Sequence, residues 1–223
     1  MVIELNGEGG IAGNLFCGAL MALGGDTLIR LNKLPERLEL NCGIDYRWKV
    51  KHGIVQARFD FLGTTTCRQS GNLAKMEERV REAWLPHDCD SIAVSMLRRR
   101  QESIAAHKGR RADRMRFKGE EFADTLLDLC AAAVLWDAVG HPALIVKGPL
   151  ELGTPFATIR QILPPVLAIE GEGAERVTPT GAAILNAFWQ PGAELGTKTA
   201  TAAVSGEYSQ KGLIPPLTAT LYT

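Results

Sequence analysis

The chain has 223 residues, 46% of them hydrophobic and 22% charged, with 25 basic residues matched by 25 acidic ones. That balance suits one large or two small globular domains with a buried core, and a formal net charge of zero argues against a dedicated nucleic-acid binder. Cys17, Cys42, Cys67, Cys89 and Cys130 are scattered, odd in number and without a C-x-x-C pair, which reads as reduced thiols and argues against a disulfide framework and a structural zinc site.

No apolar run approaches the ~18 residues needed to span a bilayer, and Met1 leads into a short strand with no basic leader. A cytoplasmic protein without membrane contact is expected. Met1–Asn6 predicts the strand. The glycine-rich turn Gly7–Gly13 follows, and a helix runs from Gly13 to Gly24, where Gly24-Gly25 is a plausible stop. Asp26 is a candidate N-cap for a short second helix ending before Pro35. Arg37–Asp45 and Tyr46–Leu62 read as strands: Leu38, Leu40 and Cys42 alternate with polar residues, and His52-Gly53 marks a hairpin turn. Gly63–Ser70 is a loop, and two or three helices lie between Asn72 and Ala106.

Arg98–Lys118 carries nine Lys/Arg against Glu102 and Asp113. A strongly apolar helix, Glu120–Val139, has Phe122, Leu126, Leu129, Ala133 and Trp136 at helical spacing. Ala143–Val146 is a strand, and Thr154-Pro155 opens a helix that Pro164-Pro165 ends. Leu167–Ile169 is a short strand and Glu170–Glu175 an acidic loop. Thr178-Pro-Thr-Gly181 leads into a helix over Ala182–Trp189, and strands near Thr199–Val204 and Leu217–Tyr222 close the chain. The expected fold class is α/β, a mixed α+β arrangement in which helices pack on a mixed β-sheet.

The opening turn is a candidate anion site, because helix N-terminal N–H groups attract phosphate and glycines admit a ligand to the backbone. It fits the loose fingerprint G-x-G-x-x-A through Gly7, Gly9 and Ala12, but Thr27–Lys33 looks helical where a dinucleotide site needs a strand ending in an acid. His87-Asp-Cys-Asp90 groups four ligand types, yet too tightly for one ion, and Asp88 or Asp90 equally suits an N-cap. The basic run could bind phosphate or present a solvated helix face. Asp124 and Asp128, four apart on one helix face, could hold a divalent cation, serve acid–base chemistry or form a polar stripe. Val177–Ala183 is a compact turn that Thr178 or Thr180 can cap, again with a possible backbone anion site. No serine nucleophile is supported: G-x-S-x-G does not occur.

In chain order, these segments resemble the N-terminal part of the LarC family of nickel-insertion proteins. The family's opening S-G-I-S-G-D-M-F-x-G-A-L corresponds to Gly9-Gly-Ile-Ala-Gly-Asn-Leu-Phe-Cys-Gly-Ala-Leu20, and its K-x-G-I hairpin to Lys51-His-Gly-Ile54. V-D-S-I-V-D-I resembles Ala123-Asp-Thr-Leu-Leu-Asp-Leu129, P-L-x-L-G matches Pro149–Gly153, and V-T-P-T-G-A-A is intact at Val177–Ala183. The resemblance implies one domain over residues 1–223 with a helical insert at about 70–140. It also implies a role in inserting nickel into a pyridinium dithiocarboxylate mononucleotide with CTP consumed. The family's CTP-binding domain is C-terminal, about where this chain stops at Thr223.

The departures concern chemistry. The family's first-turn Ser, Ser and Asp are here Gly9, Ala12 and Asn14. Its H-F-H-E falls on Arg116-Phe-Lys118-Gly119, and its H-G-R-L-P-V-P loop and histidine-rich tract are missing. Cationic Arg and Lys do not ligate nickel as imidazole does, but suit anions. The expectation is therefore a nucleotide-type or other phosphorylated ligand on Gly9, Gly10, Gly13, Asn14, Arg116, Lys118, Thr178, Thr180 and Gly181. The protein would act as a carrier or partner in cofactor maturation, with Asp124 and Asp128 open to nickel or another divalent cation. Two alternatives stand beside it. One is an active insertase half, its metal held by Asp124, Asp128, His107 and His87, paired with a separate CTP-binding protein. The other is a homo-oligomeric scaffold on an inactivated fold.

Overall fold

A computed structural model describes all residues except 7, 9, 25–27, 155, 156, 175 and 207–215. Six strands form a mixed sheet in the order β2-β3-β9-β10-β1-β6. They are β1 (Val2–Asn6), β2 (Gly43–Lys51), β3 (Ile54–Leu62), β6 (Ala143–Lys147), β9 (Lys198–Ser205) and β10 (Leu217–Tyr222). β1 runs parallel to β6 and antiparallel to β10, while β3 runs parallel to β9. Two small pairs stand apart: β4 (Ser70–Gly71) with β5 (Phe117–Lys118), and β7 (Leu150–Thr154) with β8 (Ala168–Ala174).

Helix α1 (Gly13–Gly24) lies on β3, β9 and β10, and α6 (Glu120–Ala138) lies on α1. Beyond α6, α5 (Cys89–His107) packs on α6, α7 (Ala157–Ile162) and α8 (Pro179–Phe188). The smaller α4 (Leu73–Glu82) rests on α5, and α2 (Leu28–Leu31) and α3 (Leu34–Arg37) cover α6. Helix α6 buries not only its Phe122–Leu126–Leu129 stripe but also Ala123, Leu127, Cys130 and Ala131. A helix apolar on every side must be central, and α6 has helices on both sides of it. Rings of Phe16, Trp136 and Phe188 stack where α1, α6 and α8 meet, with the Trp136 and Phe188 centroids 4.4 Å apart.

The hairpin turn at His52-Gly53 is present. Both residues have positive φ, 52° and 75°, which is the twist that a two-residue hairpin turn needs. The expected Arg37–Asp45 strand is not. Pro35 sits in the first turn of α3, and the N–H groups of Leu38, Glu39 and Leu40 turn back onto the carbonyls of Leu34, Glu36 and Pro35. Glu39 takes a φ of 50° there. Leu38 and Leu40 are buried from a tight turn, so their alternation imitates a strand, and β2 begins only at Gly43. The acidic segment from Glu170 to Ala174 is strand rather than loop, because β7 supplies parallel pairing out to Thr154–Ala174. Tertiary pairing overrides composition here. Gly25, Asp26, Pro155 and Glu175 lie outside the described residues, so the expected helix stop, cap and proline start cannot be placed on them.

Candidate functional site

The opening turn and the Thr-Pro-Thr turn are clamped together. Ile11 N–H donates to the Arg176 carbonyl and Thr178 N–H to the Ile11 carbonyl, both at 2.9 Å, and Ile11 bridges Val177 in parallel. The glycines permit this approach. A Cβ on Gly10, which has φ 80°, would overlap the Arg176 carbonyl, and one on Gly181 would overlap the Ile11 carbonyl. These two glycines let backbone meet backbone.

The clamp turns two helix N-termini toward one cleft, of about 340 Å³. Gly13 and Asn14 open α1, and Pro179 and Thr180 open α8; Glu120 and Glu121, the first residues of α6, line the same cleft. Three first turns thus converge, and the dipoles of their helices favour negative charge there. Thr178 caps α8, its Oγ1 accepting from Gly181 N–H at 3.0 Å.

Carboxylates line its wall as well. Asp124 and Asp128 reach the cleft from α6, and Asp60 from the end of β3. Asn14 Nδ2 donates to Asp60 Oδ1 at 3.2 Å, and Arg58 Nε to Asp60 Oδ2 at 2.9 Å. Asp128 is buried, and its Oδ1 has no hydrogen-bond partner among the described residues. Burial, reinforced by the Asp124 charge, pushes its carboxyl well above the ordinary value, with Arg100 pulling the other way. Burial thus favours the protonated form of this carboxyl, and a cation that took it as a ligand would compete with the proton.

Arg100 is the cation of this wall. It comes from α5, is buried, and donates from Nε to Thr180 Oγ1 at 3.1 Å. Its Nη2 lies 3.5 Å from half-exposed Glu121 Oε1, and its guanidinium sits 5.5 Å above the Phe117 ring centre. Burial lowers its pKa from the usual guanidinium value, opposed by Glu121.

Of the expected site residues, Gly13, Asn14, Asp124, Asp128, Thr178 and Thr180 line the cleft. Gly10 and Gly181 stand behind it as packing glycines, and Gly9 lies outside the described residues. Arg116 and Lys118 do not join it. Arg116 Nη2 donates to Ser70 Oγ at 3.2 Å, and Lys118 pairs with Ser70 across β4–β5, both side chains exposed. His87 is also elsewhere, its Nδ1 3.0 Å from Asp137, which His141 Nε2 approaches at 3.2 Å. His107, at the end of α5, does not line the cleft either. Among the described residues no group of three or more His, Cys, Asp or Glu is placed to hold a metal ion. Sequence reasoning missed Asp60, Glu120, Glu121 and the separate role of Arg100. In the sequence Arg100 is one of three consecutive arginines, and only its burial distinguishes it from Arg98, which pairs with Glu77 at 2.6 Å, and from exposed Arg99.

The model of the family described as "Nickel insertion protein" matches residues 3–211. A relative from Akkermansia muciniphila, named pyridinium-3,5-bisthiocarboxylic acid mononucleotide nickel insertion protein, is 26% identical over 208 residues, covering 82% of this chain and 50% of its own. Nickel-insertion-protein relatives from Citrifermentans bemidjiense and Pelobacter propionicus are each 28% identical, over 80% and 94% of this chain and 50% and 57% of theirs. The chain thus spans about half the length of the curated relatives it matches. No solved structure matches it. Three of the segments that resemble LarC proteins, those at Gly9–Leu20, Ala123–Leu129 and Val177–Ala183, contribute to the cleft, and the match runs through all five: the chain belongs to the nickel insertion protein family.

Proposed function

We propose that this chain serves nickel insertion in nickel-pincer cofactor biosynthesis by binding a phosphorylated, mononucleotide-type ligand in the cleft between α1, α6 and α8. It acts as a carrier or partner subunit. The observation that carries this reading is the convergence of three helix N-termini, with Arg100 and Thr180, on a cleft that three of the family's motifs help to line. The ligand phosphate would sit against the first turns of α1 and α8, where the helix dipoles favour an anion. The named substrate of the Akkermansia relative is a mononucleotide of this kind.

Nickel, as cargo, would meet Asp124 and Asp128. Carboxylates alone suit harder cations better than nickel, which imidazole binds well, and Arg116 and Lys118 stand where the family resemblance places two histidines. This supports ligand binding without the family's complete insertion chemistry. The test is calorimetry with a pyridine mononucleotide, with and without Ni²⁺. Binding by the wild type that falls about tenfold in Thr180→Val or Arg100→Met, a loss of about 1.4 kcal/mol, is expected. Absence of binding at millimolar ligand would overturn the reading. So would binding that survives those substitutions but is lost in Arg116→Ala plus Lys118→Ala, since the ligand would then lie on the basic run.

A further inference from the structure

β2 is the edge of the six-stranded sheet, and β3 is its one paired neighbour among the described residues. It is nine residues long, contains no proline and pairs with β3 without a register shift. Edges of this kind are normally shortened, bulged or covered, because they offer unpaired N–H and C=O groups to another strand. β2 also exposes large apolar side chains, Trp48 at 63% and Val50 at 61%.

The register identifies which backbone groups face outward. Lys51 and Ile54 flank the two-residue turn and so form a hydrogen-bonded pair. Pair types alternate along an antiparallel ladder, so Ile44, Tyr46, Trp48 and Val50 direct their N–H and C=O groups to the free edge. Their side chains share one face of the sheet, and Asp45, Arg47 and Lys49 occupy the other.

We infer that β2 pairs antiparallel with β2 of a second copy, about a two-fold axis at Tyr46, to give a continuous twelve-stranded sheet. An isologous contact must be complementary to itself, and in this register it is. Tyr46 meets Tyr46 and Ile44 meets Trp48, each as a hydrogen-bonded pair that uses the outward groups. Between them Asp45 meets Arg47, twice, as a non-hydrogen-bonded pair, the type in which side chains stand closer. In the single chain Arg47 Nε already reaches its own Asp45 Oδ1 at 2.9 Å, with the Arg47 side chain 76% exposed. Shifting the axis to Arg47 keeps the outward groups paired and sets Asp45 opposite Lys49, but it places Arg47 against Arg47, and like charges directly opposite are unfavourable. The Tyr46 register, with Asp45 opposite Arg47 twice and no like charges opposed at its centre, is the one charge favours. This inference is independent of what the cleft binds.

The experiment is sedimentation equilibrium of the whole chain up to high-micromolar concentration. The wild type self-associates to a dimer. Arg47→Asp, and separately Asp45→Arg, weaken association about tenfold or more by turning both cross-strand pairs repulsive. The combined swap, Asp45→Arg with Arg47→Asp, restores it, because position 45 again faces an opposite charge at position 47. Matched thermal melts confirm that each variant folds; should a single reversal unfold the chain, hydrogen exchange of wild-type Ile44, Tyr46 and Trp48 amides must show protection that rises with concentration. A wild type that stays monomeric, a dimer indifferent to the reversals, or a swap that fails to restore association overturns the proposal.

Discussion

Gly13 and Asp128 are in direct contact: a Cβ added to Gly13 would overlap the carboxylate of Asp128 and its own Cβ. The first residue of α1 is thus pressed against the third turn of α6, and a buried carboxyl sits at a helix N-terminus, where the dipole accommodates negative charge. Gly13→Ala forces the two helices apart. We expect a loss of about 1–3 kcal/mol, the usual cost of overfilling a packed site, read as a lowered denaturation midpoint together with weaker ligand binding.

Asp128 makes stability depend on pH. Its folded-state pKa is raised above the ordinary carboxylate value of 3.8, so the folded chain holds a proton that the unfolded chain gives up. That stabilisation is complete below the unfolded value and is lost as pH rises from there through the folded value. Asp128→Asn, which cannot ionise, should flatten this slope and gain on the wild type toward neutral pH. Urea unfolding across a pH series checks it; parallel slopes for the two proteins would contradict it.

A cation that takes Asp128 as a ligand competes with its proton. Ni²⁺ binding, where it occurs at Asp124 and Asp128, should release a proton and tighten with rising pH. Calorimetry in buffers of different ionisation enthalpy measures the release directly, and Asp128→Asn should abolish it.

Arg100 supports the cleft from beneath. Arg100→Met leaves Thr180 Oγ1 without its donor and removes the cation over Phe117. We expect a loss of about 1.5–3 kcal/mol, the range for a charged hydrogen bond, with little added by half-exposed Glu121. Arg100→Lys should recover only part of it, since an ammonium lacks the planar fork that lies over the ring while donating sideways. Thermal unfolding of both variants is the measurement.

Thr178 is the N-cap of α8, and its hydroxyl accepts from Gly181 N–H. Thr178→Ala should cost about 1 kcal/mol, and Thr178→Ser should retain most of it. Chemical denaturation of the pair separates loss of the cap from loss of the methyl group.

Local chemistry determined much of this protein without reference to the rest of the chain. His52-Gly53 selects a two-residue hairpin turn, Thr178-Pro-Thr caps a helix, and the Glu120–Ala138 run is too apolar to lie anywhere but inside. The motif order also identified the family, and Gly13, Asn14, Asp124, Asp128, Thr178 and Thr180, which line the cleft, stood out in the sequence because helix starts and paired carboxylates carry their meaning in a few residues. Tertiary structure alone decided the rest. It separated Arg100 from its neighbours by burial, brought Asp60 to the cleft from 40 residues before Arg100, and set Arg116 and Lys118 on a different surface. It made a turn of Leu38 and Leu40 and a strand of the acidic segment at 170–174. The physical reason is common to these cases. Alternation, charge and composition describe what a residue can do, whereas burial, pairing and direction depend on which distant segment packs against it.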